Sequence, residues 1–352
     1  MMSSRRRRLL IPGLLVALLA VVLLASAVRR AEASPTPLPV VPHQQVSVMK
    51  DPRIAESSGL AASQAHPGIV YTINDSGDAS RVFAVDIESG RVVGVTTVAN
   101  AAWKDAEAMA LWRGKVVVAD VGDNALNRTD KALYVFDEPG AGEHRVDAMR
   151  YPVDFGHKID VEAMSIVPGR VDLFAKGWPN SYGFGLAIGQ LKTDEPNRAR
   201  YVGRTALSFA TDATSTPDSR YVLVRGMVSV EVYDAASWKL VHTDVIPAET
   251  GGETIAMESS GRSYLIGREG SDSPLIRVAF NPAKFTGPPQ TPVDVAAQLE
   301  AQQTWKERLQ TTLWAHRNLL GVLAIGAVGL SGGTLAWWLA RRRRVRRLSR
   351  DG

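Results

Sequence analysis

The sequence predicts an all-β chain, a β-propeller of five four-stranded blades (alternatively six), set between two apolar segments. Three observations carry the prediction. Five times an acidic residue opens a short apolar run: Glu56 (ESSGLAAS), Glu107 (DAEAMALW), Glu162 (DVEAMSIV), Asp212 (TDATSTPD) and Glu253 (GETIAMES). Each run is followed by a Gly- or Asp-rich turn and then by a second run that alternates apolar and polar residues. The period, roughly 40–55 residues, belongs to repeat architectures built from strands.

In chain order, residues 1–33 read as a signal peptide or signal anchor. Arg5 to Arg8 precede an apolar stretch from Leu9 to Val28, with Ala25-Ser26-Ala27 and Ala31-Glu32-Ala33 behind it. That order of basic, apolar and small residues is what a secretory signal requires. Residues 34–42 (SPTPLPVVP) form a Pro-rich linker, residues 43–280 the propeller, and residues 281–293 a second Pro/Gly-rich linker. A juxtamembrane helix over 294–317 starts at the capping residue Asp294 and carries Leu299, Leu309 and Leu313 on one side. The predicted transmembrane helix covers 318–340, with 22 uncharged residues from Leu319 to Ala340, and a basic tail covers 341–352.

Orientation follows from arginine. Arg341 to Arg344, Arg346 and Arg347 lie just past the second apolar segment, so the tail is expected in the cytoplasm and the propeller outside it, in contact with the bilayer only through its anchors. A cleaved signal leaves one span and an uncleaved one leaves two. Gly329 and Gly333 either bring two such helices into a weak homodimer or mark an ordinary Gly-rich span.

The formal net charge of +5 misrepresents the propeller, because thirteen of the 41 basic residues lie in the two terminal clusters. Without them and Asp351, 28 basic residues face 35 acidic ones. An acidic outer domain is a poor partner for nucleic acid, whose phosphates need a basic face. The absence of cysteine excludes disulfides, thiolate metal sites and a cysteine nucleophile, so the core alone must hold the domain.

Within 43–280, alternation and Val, Ile, Tyr and Phe content predict hairpins at Ile69–Ile73 with Arg81–Asp86 and at Lys115–Ala119 with Ala132–Phe136. Three more follow at Val171–Ala175 with Gly185–Leu191, Tyr221–Val224 with Ser229–Tyr233, and Ser263–Ile266 with Leu275–Phe280. An acid-led inner strand, a hairpin and a weaker outer strand make one blade.

In such a ring the loop leading into each inner strand and the turn joining the second and third strands share one face. Glu56, Glu107, Glu162, Asp212 and Glu253 are therefore expected around the channel mouth, together with Asn74, Asp120, Lys176, Arg225 and Arg268 from the ends of the second strands. Asp75, Asp78, Asp120 and Asp123 are hard oxygen ligands of the kind Ca²⁺ takes in sixes to eights, whereas Lys176, Arg225 and Arg268 suit an anionic group. The same Asp, Asn and Gly residues are also what hairpin turns select, so NDSGD and DVGDN are consistent with turn chemistry alone. No G-x-S-x-G elbow, H-E-x-x-H, phosphate loop or dinucleotide fingerprint occurs. Six histidines are scattered, with only His157 near the predicted mouth, and Trp103 and Trp178 serve equally as core or as sugar-stacking residues.

Through ESSGLAAS, INDSGD, DAEAMA, VADVGDN, DVEAMS and GETIAM the chain resembles a group of exported, membrane-anchored actinobacterial proteins that fold as β-propellers. The resemblance covers roughly Asp51 to Phe280. It implies a fold and an extracytoplasmic address, with no assigned reaction. Lys176-Gly177-Trp178 and Arg268-Glu269-Gly270 depart from its turn pattern. The chain is more distantly similar to Ca²⁺-dependent propeller phytases and lactonases, an analogy of fold.

The expectation is an extracytoplasmic, membrane-anchored propeller that binds a protein, a cell-envelope glycan or a small anion at its mouth. The alternative is a calcium-dependent hydrolase of a phosphoester or lactone, with Glu107 or Glu162 as general base at the same face.

Overall fold

Runs rich in branched and aromatic residues fold here as five mainly antiparallel sheets around one axis. The structure is a computed structural model and describes residues 40–177, 179–247 and 252–285. The signal segment, the juxtamembrane helix, the transmembrane helix with Gly329 and Gly333, the basic tail and Trp178 lie outside the described residues. Among those described, no helix is long and apolar enough to cross a membrane.

The first strand, β1 (His43–Met49), belongs to the last blade. Blade one is β2 (Ser57–Ala62), β3 (Ile69–Asn74), β4 (Arg81–Asp86) and β5 (Val92–Val98). Blade two is β6 (Ala106–Trp112), β7 (Lys115–Asp120), β8 (Ala132–Asp137) and β10 (Met149–Asp154), with β9 (Gly142–Val146) leaving it to pair in parallel with β5. Blade three is β11 (Val161–Val167), β12 (Arg170–Ala175), β13 (Tyr182–Ala187) and β15 (Arg200–Arg204), and its short β14 (Asn197–Arg198) pairs in parallel with β10. Blade four is β16 (Asp212–Ser215), β17 (Tyr221–Arg225), β18 (Ser229–Asp234) and β19 (Leu240–Val245). Blade five is β20 (Thr254–Met257), β21 (Ser263–Gly267) and β22 (Ser273–Ala279), completed by β1 from the other end of the domain.

The fold is thus the five-bladed propeller, and the predicted hairpins lie within a few residues of the observed ones. Blade three differs most. Its third strand runs over Tyr182–Ala187 rather than from Gly185 to Leu191, and Ile188–Gln190 form a 3₁₀ turn. Gly183 and Gly185 look like punctuation but sit inside the sheet, where a Cβ at Gly185 would come within 3.0 Å of Val202 Cγ1.

The inner strands β2, β6, β11, β16 and β20 contact one another in sequence, and β20 returns to β2. The core lies between blades. Met49, Leu60, Phe83 and Leu265 fill the seam between blades five and one; Ile73, Val118 and Tyr134 fill that between one and two. Met164 and Leu173 pack with Leu133 between two and three, and Leu223, Tyr264 and Ile276 lie between four and five. Between blades three and four a polar clip forms. Arg170 pairs with the fully buried Asp172, donates to the Ala235 carbonyl at 3.1 Å, and lies 5.6 Å from the Trp238 ring centre.

Closure by β1 depends on the β4–β5 turn. Gly90 has φ +70°, and a Cβ there would fall 2.2 Å from the Val48 carbonyl oxygen, while Ser47 Oγ donates to Ile87 O at 2.6 Å. Gly68 has φ +88° but nothing within 4 Å of a built Cβ. Gly90→Ala is therefore expected to destabilise the protein by more than about 2 kcal/mol, and Gly68→Ala by only about 1 kcal/mol from backbone strain. Chemical denaturation of both variants checks this, and equal losses would mean that the contact with β1 contributes nothing.

Candidate functional site

Strand register places the five sequence-predicted acids at three different levels. The first paired residues of the inner strands are Ser57, Ala106, Val161, Asp212 and Thr254. The position just before each is Glu56, Asp105, Asp160, Thr211 and Glu253. Glu107 and Glu162 lie further in, at register irregularities of β6 and β11, and both are buried. The expected single ring of Glu56, Glu107, Glu162, Asp212 and Glu253 is therefore corrected to an outer level of Glu56, Asp105, Asp160 and Glu253 above an inner pair. Asp105 and Asp160 escaped the sequence reading, although DAEAM and DVEAM each carry an aspartate two residues ahead of the glutamate.

The cluster forms between blades one and two. Asp75 follows β3, its N–H donates to Glu56 O at 3.0 Å, and its carbonyl accepts from Ala106 N of the next blade at 3.2 Å. That interblade bond sets Asp75 beside Asp105. Carboxylate oxygens of Asp75, Asp105 and Glu107 lie within 4.8 Å of one another. Gly122 makes room for them, since a Cβ there would come 2.7 Å from both Asp105 Cγ and Glu107 Cγ. Burial, the neighbouring Asp105 and the charges of Glu56 and Glu269 push Asp75 up to about 8. Burial, Glu162 and the two aspartates raise Glu107 well above the usual range. One Asp75 oxygen is buried without a hydrogen-bond partner, while Glu107 accepts a single long bond from Ser58 Oγ at 3.2 Å.

Of the four aspartates expected to hold a metal, only Asp75 enters this cluster, because the others are already committed. Asp78 accepts from Asn74 Nδ2 at 2.7 Å and pairs with Arg81. Asp120 accepts the N–H groups of Lys104 and Asp105, and Arg128 pairs with it at 2.8 Å. Asp123 pairs with the buried Lys131 at 2.8 Å and accepts from Asn127 N. Asn74 and Asp120 play the same part in successive blades, each holding the backbone of the loop that leads into its own inner strand: Asn74 Oδ1 accepts from Glu56 N at 3.2 Å. They are positioning residues for the acids above them.

The three cations expected to clamp an anion are also engaged. Lys176 Nζ lies 2.5 Å from Glu162 Oε1 and 3.7 Å from Asp160. Burial works against its charge, but the pull of Glu162 and Asp160 outweighs it. Arg225 is wholly buried and donates to the carbonyls of Thr254 and Gly267, tying blade four to blade five. Arg268 Nη2 reaches the carbonyls of Ser271 and Asp272 in its own turn, both at 3.3 Å. The mouth is therefore a carboxylate-dominated surface that favours cations.

Asp212 has withdrawn from the mouth. Fully buried, it accepts from Ile255 N at 2.8 Å, Leu60 N at 3.3 Å and Ala213 N at 2.8 Å, stapling the inner strands of blades four, five and one. Glu253 is half-buried, and burial with Glu269 nearby brings it to about 7. Glu162 is carried to about 8 by burial, against the opposing pull of Lys176. Trp103 packs edge-on against Tyr134, and His157 is exposed against Phe184.

No protein-family profile and no curated protein sequence matches the chain. Among solved structures it is similar to the PQQ-bound aldose sugar dehydrogenase of Streptomyces coelicolor, at 11% identity and TM-score 0.44, covering 70% of this chain and 100% of that one. It is also similar to the glutaminyl cyclase of Myxococcus xanthus, at 12% identity and TM-score 0.45, covering 69% and 100% respectively. At this level neither protein's chemistry transfers.

The raised acids make stability pH-dependent. Asp75 and Glu162 near 8 and Glu253 and Glu231 near 7 bind protons more tightly folded than unfolded. Their contribution is full below the ordinary carboxylate range and is lost as pH rises through 7–8. Asp51, Asp154 and Asp234 are lowered, by Arg53, by the Gly156 N–H and by Ser237 respectively, and their contribution is lost as pH falls. In metal-free buffer Tm should peak at about pH 5 and decline towards about pH 8.5. Thermal unfolding at constant ionic strength tests this, and a profile that rises between pH 6 and 8.5 contradicts it.

Proposed function

We propose that this chain is a binding propeller, displayed outside the cytoplasmic membrane on its C-terminal span, whose mouth holds a divalent cation of the calcium type. Asp75, Asp105 and Glu107 are its ligands. The observation that carries the reading is the convergence of these three carboxylates within 4.8 Å at a place where burial disfavours their charge. A hard cation relieves their mutual repulsion and satisfies the Asp75 oxygen that has no hydrogen-bond partner. Three carboxylates leave part of a six- to eight-oxygen shell open, and there a ligand's carboxylate, phosphate or sugar hydroxyls would bind through the ion. Such an ion also explains how an acidic mouth would take the protein, glycan or small-anion ligand expected from the sequence. The arginine-flanked apolar segments and the resemblance to exported propellers support the address.

At about a hundredfold excess over its Kd, Ca²⁺ should raise the Tm of the full-length protein in detergent by about 5–10 °C. Asp75→Asn and Asp105→Asn should abolish the rise. Because the ion must displace protons from raised acids, calorimetric affinity should increase from pH 6 to pH 9, with protons released on binding. A pH-independent affinity, or an unchanged response in both variants, overturns the site.

A second reading is hydrolysis of a phosphoester or lactone at the same mouth. It is favoured by Glu162 near 8, within the range suited to proton transfer at neutral pH, on the strand next to Glu107. Glu162→Gln should then lower turnover of panel esters by about 10²-fold or more while preserving calcium binding. If the calcium-loaded protein turns over no ester or lactone, binding alone is left.

A further inference from the structure

Among the described residues, the outer strands of blades one, two and four each carry an added parallel partner. β9, borne by the connection 138–148 of blade two, pairs with Gly94–Val98 of β5. β14, borne by the connection 188–199 of blade three, pairs with Val153 and Asp154 of β10, and its Arg198 forms an ion pair with Asp154. In blade four Val40 bridges Val245 in parallel, and Val41 N donates to Val245 O at 2.9 Å. Each cover takes the C-terminal end of its outer strand. In blade five the β4–β5 turn serves instead, with Gly90 set against the Val48 carbonyl of β1.

β15 is the exception. It ends its sheet, and among the described residues no strand pairs with its outer side. The cause is the length of the connection that would reach back from blade four: 235–239 is a short turn closed by Trp238 N donating to Asp234 O at 2.8 Å. Only the Trp238 ring arrives, its Cδ1 lying 3.4 Å from where a Cβ on Gly203 would stand. An edge left in this way presents unpaired N–H and C=O groups to solvent. Arg200, Tyr201 and Arg204 of β15 are exposed, as is Lys239 beside Trp238, and none of the three cations has an ion-pair partner among the described residues.

We infer that the outer edge of β15 docks an extended, acidic segment of a partner protein. The segment adds in parallel, as β9, β14 and Val40 do on their blades, and sets carboxylates against Arg200, Arg204 and Lys239. In strand addition the main-chain bonds supply affinity and the side chains select the partner. Tyr201, edge-on to Phe184 at 6.1 Å, offers apolar surface beside the cations. A second copy is the wrong occupant, because edge-to-edge pairing of two β15 strands brings arginine against arginine. The edge belongs to the rim of blade three, so the inference does not depend on the cation reading of the mouth.

The test is fluorescence anisotropy of the full-length protein in neutral detergent with labelled peptides of about eight residues, enough to span the strand at ~3.3 Å per residue. One peptide alternates glutamate and valine, a second alternates lysine and valine, and a third is the glutamate peptide N-methylated at every residue. Saturable binding of the first alone is expected. The second lacks the charge and the third lacks the main-chain donors. Replacing Arg200 and Arg204 together by serine should weaken binding about tenfold, the effect of two exposed ion pairs, whereas Arg262→Ser on blade five should leave it within about twofold. The peptide comparisons decide without any variant. Absence of saturation, equal binding of either control peptide, or unchanged affinity in the doubly substituted protein overturns the proposal. Self-association that the same double substitution abolishes assigns the edge to a second copy and overturns it as well.

Discussion

Everything at the axis depends on the hydrogen bonds between β1 and β22. They build blade five from the two ends of the domain and so turn a row of hairpins into a closed ring. A row of blades leaves an unpaired edge at each end; closure removes that liability and makes the first and last inner strands neighbours. The seam is locked by Met49, Leu60 and Leu265, by Ser47 on the Ile87 carbonyl, and by the glycine turn at Gly90. Asp212 completes the lock at the centre, since one carboxylate binds backbone N–H groups of three blades.

Closure then creates an electrostatic problem at the mouth. Outer-level acids and the inner pair share one small region, and burial raises the cost of charging Asp75, Glu107 and Glu162. The acids meet that cost in different ways. Asp212 is compensated by backbone donors, Glu162 by Lys176, and Asp120 by Arg128 and two N–H groups. Asp75, Asp105 and Glu107 have no comparable set of donors and press on one another. Carboxylates that the fold compensates are structural; those it leaves crowded are where a ligand has something to relieve.

The two ends of the inner strands differ in kind. At the mouth, loops rich in Asp and Gly bring charge; at the far end, Met109, Ile166 and Met257 line a cavity together with polar residues such as Gln64, Arg113 and Glu138.

Local pattern made the strands legible. Short, nearly continuous apolar runs in IVYTIN, KVVVAD and YVLVR mark second strands whatever surrounds them, because a strand covered on both faces buries nearly every residue. Five acid-led runs likewise marked the repeat and favoured five blades over six. The sequence did not reveal that His43–Met49 closes the last blade, that Asp105 and Asp160 rather than Glu107 and Glu162 align with Glu56, or that Arg225 and Asp212 are structural. Those facts turn on register, on a one-residue irregularity in β6 and β11, and on contacts between residues as distant as Leu60 and Asp212. A period of two is written in neighbouring residues; which carboxylates end up sharing a desolvated corner is decided only when the ring shuts, because repulsion and burial act through space and not along the chain.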